Sequence, residues 1–313
     1  MIGAMVATVL TALSGAAVKL PVSIQYLVRA LVGTMIGSAI TLELVSSFSH
    51  WWLSLVGLML ALAIMFCAGY LLLRRIGGFT PPSAALCAIP GGIAEMILLA
   101  DKAGADQTRV SIVHALRIAL TILIMPLVLG LFGWDGERAD LTTGAALLSG
   151  IDWVWLMLCV VSGLLAHRFT SLPAPLVLVP LVTGSLLHLT GLTSFEMPGY
   201  LTVAVQIFIG INVGSRFAGM SARALAQALG MATLVVAAQI ATASAIALMF
   251  VTATGGDPLA QLLAYAPGGL AEMSLIAVAV DTDPAFVGLH HMIRVLIALL
   301  VAPGLLGLLS KRR

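Results

Sequence analysis

The feature that most constrains this chain is a seven-residue motif that occurs twice, each time inside an apolar segment. Residues 90–96 read PGGIAEM, and residues 267–273 read PGGLAEM. Proline lacks a backbone donor and paired glycines loosen the backbone, so a membrane-spanning helix is expected to break at each motif. Irregular backbone at membrane depth persists only where protein buries it or a water-filled cavity meets it. Two breaks in corresponding halves point to the central site of a transporter.

Composition places the chain in a bilayer. Of its 313 residues 61% are hydrophobic and 9% are charged, with a mean hydropathy of +1.13. A soluble domain is roughly half apolar and a quarter charged, so we expect an all-α polytopic membrane protein whose main partner is the lipid bilayer. A net charge of +2 gives no basic surface for nucleic acid, and no nucleic-acid partner is expected.

The motif belongs to an ungapped internal repeat, since Pro90 and Pro267 differ by 267 − 90 = 177 positions. The same offset pairs the following residues: Pro21 with Pro198, Gly33 with Gly210, Gly37 with Gly214, Glu95 with Glu272, Asp106 with Asp283, His114 with His291, Arg117 with Arg294, and Pro126 with Pro303. A shared apolar bias would not match these residue types. The pattern predicts a first membrane repeat at 1–135, a polar inter-repeat loop at 136–151 and a second membrane repeat at 152–313.

Loop charge predicts how the repeats are oriented. If each broken element is a re-entrant helical hairpin, the basic residues of both halves fall on one side of the membrane and the acidic loops fall on the other. The basic set is Lys19, Arg74, Arg75, Lys102, Arg109, Arg168, Arg216, Arg223 and the 311–313 tail. The positive-inside rule favours this arrangement over two crossing elements. Each repeat then has an odd number of crossings, so the two repeats are expected to be inverted, as in transporters.

The offset leaves part of the second half without a counterpart. A predicted helix at 152–166 has no partner, and residues 1–14 match only the later part of 174–190. The first repeat is therefore expected to be incomplete at its N-terminal end.

The candidate substrate- or ion-binding residues lie at the two breaks and on the helix after each. They are Pro90, Gly91, Gly92, Glu95, His114 and Arg117, together with Pro267, Gly268, Gly269, Glu272, His291 and Arg294. Each glutamate is expected in the first turn of a half-helix, where it caps the helix, carries a proton or cation, or pairs with a substrate group. His and Arg are three residues apart and share one helix face. The arginines either pair with the glutamates or, with the half-helix N-termini, bind an anion.

Other polar and small residues have more ordinary explanations. Gln206 and Asn212 either bond across helices or line the transport path. The glycine pairs Gly33/Gly37 and Gly210/Gly214 predict close helix packing. His290 lacks a histidine counterpart and is expected to be peripheral, and the segment from Glu43 to His50 is expected to be a loop.

No motif indicates catalysis. The six histidines and three cysteines show no metal-ligand spacing, so no metal and no cofactor are expected. A glycine-rich phosphate loop with lysine is also missing from the sequence, which disfavours ATP-driven transport. We therefore expect that the protein is not an enzyme.

The PGGxAEM motif, followed in each half by D-x₇-H-x-x-R, resembles the AbrB-type duplicated membrane family, which is distinct from the small soluble DNA-binding regulator of the same name. The resemblance extends to PAPLVLVPLVTGSLLHLTG at 173–191 and IGINVGSRF at 209–217. That family carries labels such as ammonia monooxygenase and membrane regulator of gene expression, and its architecture is similar to inverted-repeat secondary transporters. The resemblance implies a multi-pass protein of a bacterial-type inner (plasma) membrane, but no particular substrate.

Three functional hypotheses follow. The first is a secondary transporter for a small anionic solute, with coupling to protons and homo-oligomerisation as open possibilities. The second is a membrane-embedded sensor or regulator of gene expression that kept the fold without turnover. The third is a metal-dependent monooxygenase, which the residues support least because ligands for a metal are not evident.

Overall fold

The structure is a computed structural model of the chain, and it describes residues 1–16, 20–40, 42–134, 148–170, 172, 174–220 and 222–310. Within those ranges, the side chains of 42–50, 94–95, 98, 102, 222, 224 and 308–310 are not described. Lys19, the 311–313 tail and residues 136–147 of the predicted inter-repeat loop lie outside the described residues.

The described residues form helices throughout, as the composition predicts. The helices are α1 (Ile2–Leu13), α2 (Val22–Ser38), α3 (Leu42–Arg75), α4 (Pro81–Ala88), α5 (Ile93–Lys102), α6 (Gln107–Leu131), α7 (Gly150–Phe169), α8 (Pro175–Leu189), α9 (Gly199–Ser215), α10 (Ala222–Thr254), α11 (Pro258–Tyr265), α12 (Leu270–Ala279) and α13 (Pro284–Ser310). Within the described part of the chain, α3, α6, α7, α10 and α13 each contain a stretch long and apolar enough to cross a membrane. This is the pattern of a multi-pass α-helical membrane protein.

Polar residues between the apolar segments cap the helices. Asp106 accepts a hydrogen bond from the backbone N–H of Arg109 at the start of α6. Asp283, its counterpart in the repeat, accepts bonds from the N–H groups of Ala285 and Phe286 at the start of α13. Each cap satisfies donors that a helix leaves unpaired at its first turn. The two helices that carry His-x-x-Arg therefore begin in the same way.

One predicted loop is wrong. The segment from Glu43 to His50 is helical and continues into the apolar part of α3. It contains neither glycine nor proline, so nothing in it stops a helix, and polarity alone did not mark a chain turn.

The described residues divide into two compact units. The first comprises Met1–Trp51, Asp135–Ala218 and Ala271–Gly288, and the second comprises Trp52–Trp134, Gly219–Leu270 and Leu289–Arg313. Each unit draws on both halves of the sequence. The two structural units therefore do not coincide with the two predicted sequence repeats. The division of the chain into membrane repeats stays a prediction.

In the first unit, helices from the two halves pack closely through glycine. α1 packs on α9, and α2 packs on α8, which also contacts α7. A Cβ on Gly33 would lie 2.2 Å from the carbonyl oxygen of Val177, and one on Gly210 would lie 2.4 Å from that of Met1. Such distances require a hydrogen in place of a side chain. The predicted role of these glycines in close helix packing is confirmed.

In the second unit, α4 and α5 pack on α6, while α10 packs on both α6 and α11. Buried residues of α4, α6 and α10, including Leu86, Val113 and Val235, form one apolar core. Both breaks, residues 89–92 and 266–269, belong to this unit.

Candidate functional site

The two motifs interrupt their helices, as predicted. α4 ends at Ala88 and α5 begins at Ile93, while α11 ends at Tyr265 and α12 begins at Leu270. The first residues of the breaks are buried: Ile89, Pro90 and Gly91 in one, and Ala266, Pro267 and Gly268 in the other, whereas Gly92 and Gly269 are half-buried. Buried backbone carbonyls must find donors, so the question is what satisfies them.

At the first break the donors come from the predicted His–Arg pair on α6. His114 Nε2 lies 3.0 Å from the carbonyl oxygen of Leu86. Arg117 donates from Nη1 to the carbonyl of Ile89 and from Nη2 to that of Gly91, each at 3.0 Å. Because a carbonyl can only accept, His114 carries its hydrogen on Nε2.

The second break has the same three hydrogen bonds, made by α13. His291 Nε2 lies 2.9 Å from the carbonyl oxygen of Leu263. Arg294 donates from Nη1 to the carbonyl of Ala266 at 2.6 Å and from Nη2 to the carbonyl of Gly268. Every donor and every acceptor is the repeat counterpart of one at the first break. The offset that relates the two halves of the sequence therefore also relates the hydrogen bonds at the two breaks.

These bonds give His114, Arg117, His291 and Arg294 a defined role, which is to hold the breaks. The acceptors are carbonyls at or just beyond the end of the first half-helix, where the helix dipole favours a cation. A guanidinium can serve two carbonyls two residues apart because its donors form a rigid fork. All four side chains are buried, with exposures of 2% or less. The expected pairing of Arg117 and Arg294 with the glutamates stays a prediction.

The glutamates stand in the first turn of the second half-helices, as predicted. Counting from Ile93 and Leu270, Glu95 and Glu272 each occupy the third helical position. The side chain of Glu95 lies outside the described residues, whereas that of Glu272 is buried at 7% exposure. A buried carboxylate at this position benefits from the helix dipole.

Arg216, which sequence reasoning did not select, belongs to the surroundings of Glu272. It follows α9 in the first unit, which also contains Glu272, and it interacts electrostatically with Glu272 and with Arg29 of α2. The Nη1 atom of Arg216 is buried and makes no hydrogen bond within the described part of the chain. No motif could have indicated this, because Arg216 is remote from Glu272 in the sequence and its repeat counterpart in the first half is Ala39.

Within the second unit the first break element is also contacted by the opposite half of the sequence. Gln239 of α10 donates from Nε2 to the carbonyl of Ala88 at 3.2 Å. A Cβ on Gly91 would lie 3.2 Å from the Cβ of Ala298 on α13. The two halves are therefore interlocked around the first break rather than folded separately.

The expectation for His290 is wrong. Its side chain is fully buried, and its Nε2 atom lies 2.8 Å from the hydroxyl oxygen of Ser54. The missing histidine counterpart in the first half suggested a peripheral position, but a residue that departs from a repeat can do so because it has a separate role.

The two candidate path-lining residues lie on α9 in the first unit and are half-buried. Gln206 Nε2 is a buried donor without a hydrogen-bond acceptor among the described residues. A donor of that kind is suited to a solute or to water, but the path-lining role of Gln206 and Asn212 stays a prediction. As for metals, no group of three or more His, Cys, Asp or Glu residues that could hold an ion occurs in the described ranges.

Comparison with known proteins gives a consistent result. The family model described as "Transition state regulatory protein AbrB" matches residues 1–310. "Uncharacterized protein YhjN" of Bacillus subtilis (strain 168) is 27% identical over 297 residues, covering 87% of this chain and 75% of that relative. "Putative regulator AbrB" of Escherichia coli (strain K12) is 24% identical over 324 residues, covering 99% of this chain and 89% of the relative. Neither relative is named as an enzyme.

Proposed function

This chain belongs to the AbrB family of membrane proteins, and we propose that it is a proton-coupled secondary transporter for a small anionic solute. The observation that carries the proposal is the doubled constellation at the breaks. A buried His–Arg pair fixes each break with the same three hydrogen bonds. Fixed, interrupted helices with buried charges are how inverted-repeat transporters build a central site.

The choice of an anion rests on the charges at the breaks. The N-cap residue of α5 is Gly92, which has no side chain to cap the first turn. Free N–H groups and the positive end of the dipole make a helix N-terminus a favourable place for an anion. Arg117 at the first break and Arg294 at the second each add a buried positive charge. Carboxylates and phosphate are the classes of solute that these groups would bind.

Coupling to protons is proposed because of the glutamates. A buried carboxylate such as Glu272, in the first turn of α12, would compete with an anionic solute for the same helix end. Protonation of the glutamate removes this competition, so solute binding and proton binding would favour one another. Re-entrant hairpins in inverted repeats, a bacterial inner membrane and a homo-oligomeric state remain parts of this proposal.

A second candidate function is supported by the names of the family model and of the Escherichia coli relative, both of which describe a regulator. A membrane-embedded sensor would use the same solute site and pass on its occupancy without moving the solute across the membrane. The two functions share a binding step and differ in flux, so one pair of measurements separates them.

The first measurement is a thermal-shift screen of the purified chain with small carboxylates and inorganic phosphate. The second is uptake of any stabilising anion into liposomes under an imposed pH gradient. A transporter is expected to accumulate the anion, and Glu272→Gln is expected to bind it but to lose the pH dependence. Arg109→Ala, an exposed site on α6, serves as the control. Stabilisation without uptake would contradict transport and support the sensor.

A further inference from the structure

Four buried polar side chains outside the two His–Arg constellations form one network in the second unit. Gln261 of α11 donates from Nε2 to the Ser54 hydroxyl at 2.9 Å, and His290 Nε2 of α13 lies 2.8 Å from that hydroxyl. Tyr265 of α11 donates its hydroxyl to the backbone carbonyl of Ser54 at 2.6 Å. All four residues have exposures of 2% or less. The network therefore connects α3, α11 and α13 away from water.

This network is not reproduced at the counterpart positions of the repeat. Under the repeat offset, the counterparts of Ser54, Gln261, Tyr265 and His290 are Met231, Ala84, Ala88 and Val113. All four counterparts belong to or pack against the apolar core of the second unit. Apolar side chains occupy the counterpart positions, so packing does not by itself require polar groups at the four network positions. A role specific to the second break element accounts for the difference.

The hydrogen bonds indicate what that role is. The Ser54 hydroxyl already accepts from Gln261, and its single hydrogen can be donated to His290 Nε2. In that state the imidazole is neutral, with Nε2 as the acceptor. A proton added at Nε2 would reverse the direction of this hydrogen bond, so that histidine donates and serine accepts. The serine hydrogen would then have to move, and the Tyr265 oxygen at 3.5 Å is the nearest acceptor described.

We propose that His290 Nε2 is a proton-binding site, and that loading it changes the contacts among α3, α11 and α13. The titratable and charged groups near it include Tyr265 from α11 and, on α13 itself, the adjacent His291, with Arg294 one helical turn further along. α3 contributes the uncharged Ser54. Histidine is the side chain whose charge changes most readily near neutral pH. Within a transporter, His290 would be a second proton-binding site beside Glu272, and this role rests on the proposed function.

The test counts protons directly and requires no solute. Unbuffered, detergent-purified protein is titrated between pH 5 and 8, and proton uptake per chain is compared between the wild type and His290→Gln. Glutamine can keep a hydrogen bond to Ser54 but cannot take up a proton. The wild type is expected to bind about one proton per chain more than His290→Gln. His167→Gln, at an exposed histidine of α7, is the matched control substitution.

Equal uptake by folded His290→Gln and by the wild type would overturn the proposal. Ser54→Ala provides a second measurement in case the glutamine variant does not fold. Because the Ser54 hydroxyl contacts Nε2, its removal is expected to shift the pH midpoint of the one-proton step, and an unchanged midpoint would overturn the assignment to that atom. Since no solute is present, proton uptake that depends on His290 stands even if the flux experiment fails, and the reverse holds equally.

Discussion

The sharpest prediction concerns Arg117, whose replacement by alanine should destabilise the first break. The substitution removes two charge-assisted hydrogen bonds, to the carbonyls of Ile89 and Gly91. Hydrogen bonds to charged groups contribute roughly 1.5–3 kcal/mol each, which gives an upper range of about 3–6 kcal/mol. The Ile89 carbonyl keeps one donor, the N–H of Gly91 at 2.8 Å. We therefore expect a loss near the lower end, about 3 kcal/mol.

The assay is reversible unfolding of the purified protein in mixed micelles, monitored by helix content. Arg109→Ala on the same helix is the matched control. Arg109 is 53% exposed, pairs with Asp106 at 3.3 Å and lies over the Phe79 ring, contacts that together contribute about 1 kcal/mol. Arg117→Lys keeps the charge but not the fork, so an intermediate loss is expected.

Comparing the stability of Arg117→Ala with that of Arg109→Ala can refute this reasoning. If Arg117→Ala unfolds no more readily than Arg109→Ala, the two carbonyl bonds do not hold the break. Arg294→Ala is expected to lose a similar amount, because the same pair of bonds recurs at the second break. A large loss at one arginine only would show that the two constellations are not equivalent in energy.

Three further predictions follow. Gly33→Ala places a Cβ 2.2 Å from a carbonyl of α8 and is expected to cost about 1–3 kcal/mol in thermal unfolding. Gly230→Ala, with no atom within 4 Å, should be neutral or stabilising by up to about 1 kcal/mol, and equal losses would contradict the packing. Single cysteines at Ala105 and Thr282 are expected to label from opposite faces of the membrane, and labelling from one face would contradict inverted repeats. Elemental analysis is expected to give far less than one equivalent of metal, whereas stoichiometric copper, iron or zinc would favour the oxygenase.

The sequence was most informative where it constrains the backbone. Proline and paired glycines predicted both breaks, and glycines four residues apart predicted close packing, because the effect of each residue is local. The position of Glu272 in a first turn followed from the same reasoning. The helical segment from Glu43 to His50 was missed because polarity marks the membrane boundary and does not by itself end a helix.

The sequence was least informative about partners. His114 and Arg117 were identified, but their carbonyl acceptors were not, since a backbone carbonyl has no signature in the sequence. His290 was expected to be peripheral because the first half has no histidine counterpart. Its contacts come from Ser54 on α3 and from Tyr265 on α11, both on other helices of the second unit. The electrostatic contact of Arg216 with Glu272 depends on tertiary packing in the same way.

The glycine-mediated contacts of the first unit have a consequence for how the chain is made. α1 packs against α9, and α2 packs against α8. These contacts therefore cannot form until the second half of the chain has been synthesised. At roughly 5–20 residues per second, the separation of about 200 residues between α1 and α9 corresponds to about 10–40 s. During that interval the surfaces that will receive Gly210 and Gly214 face lipid or a chaperone. A ribosome that stalls after the first half would therefore release a polypeptide whose early helices have no native neighbour, a substrate for membrane quality control.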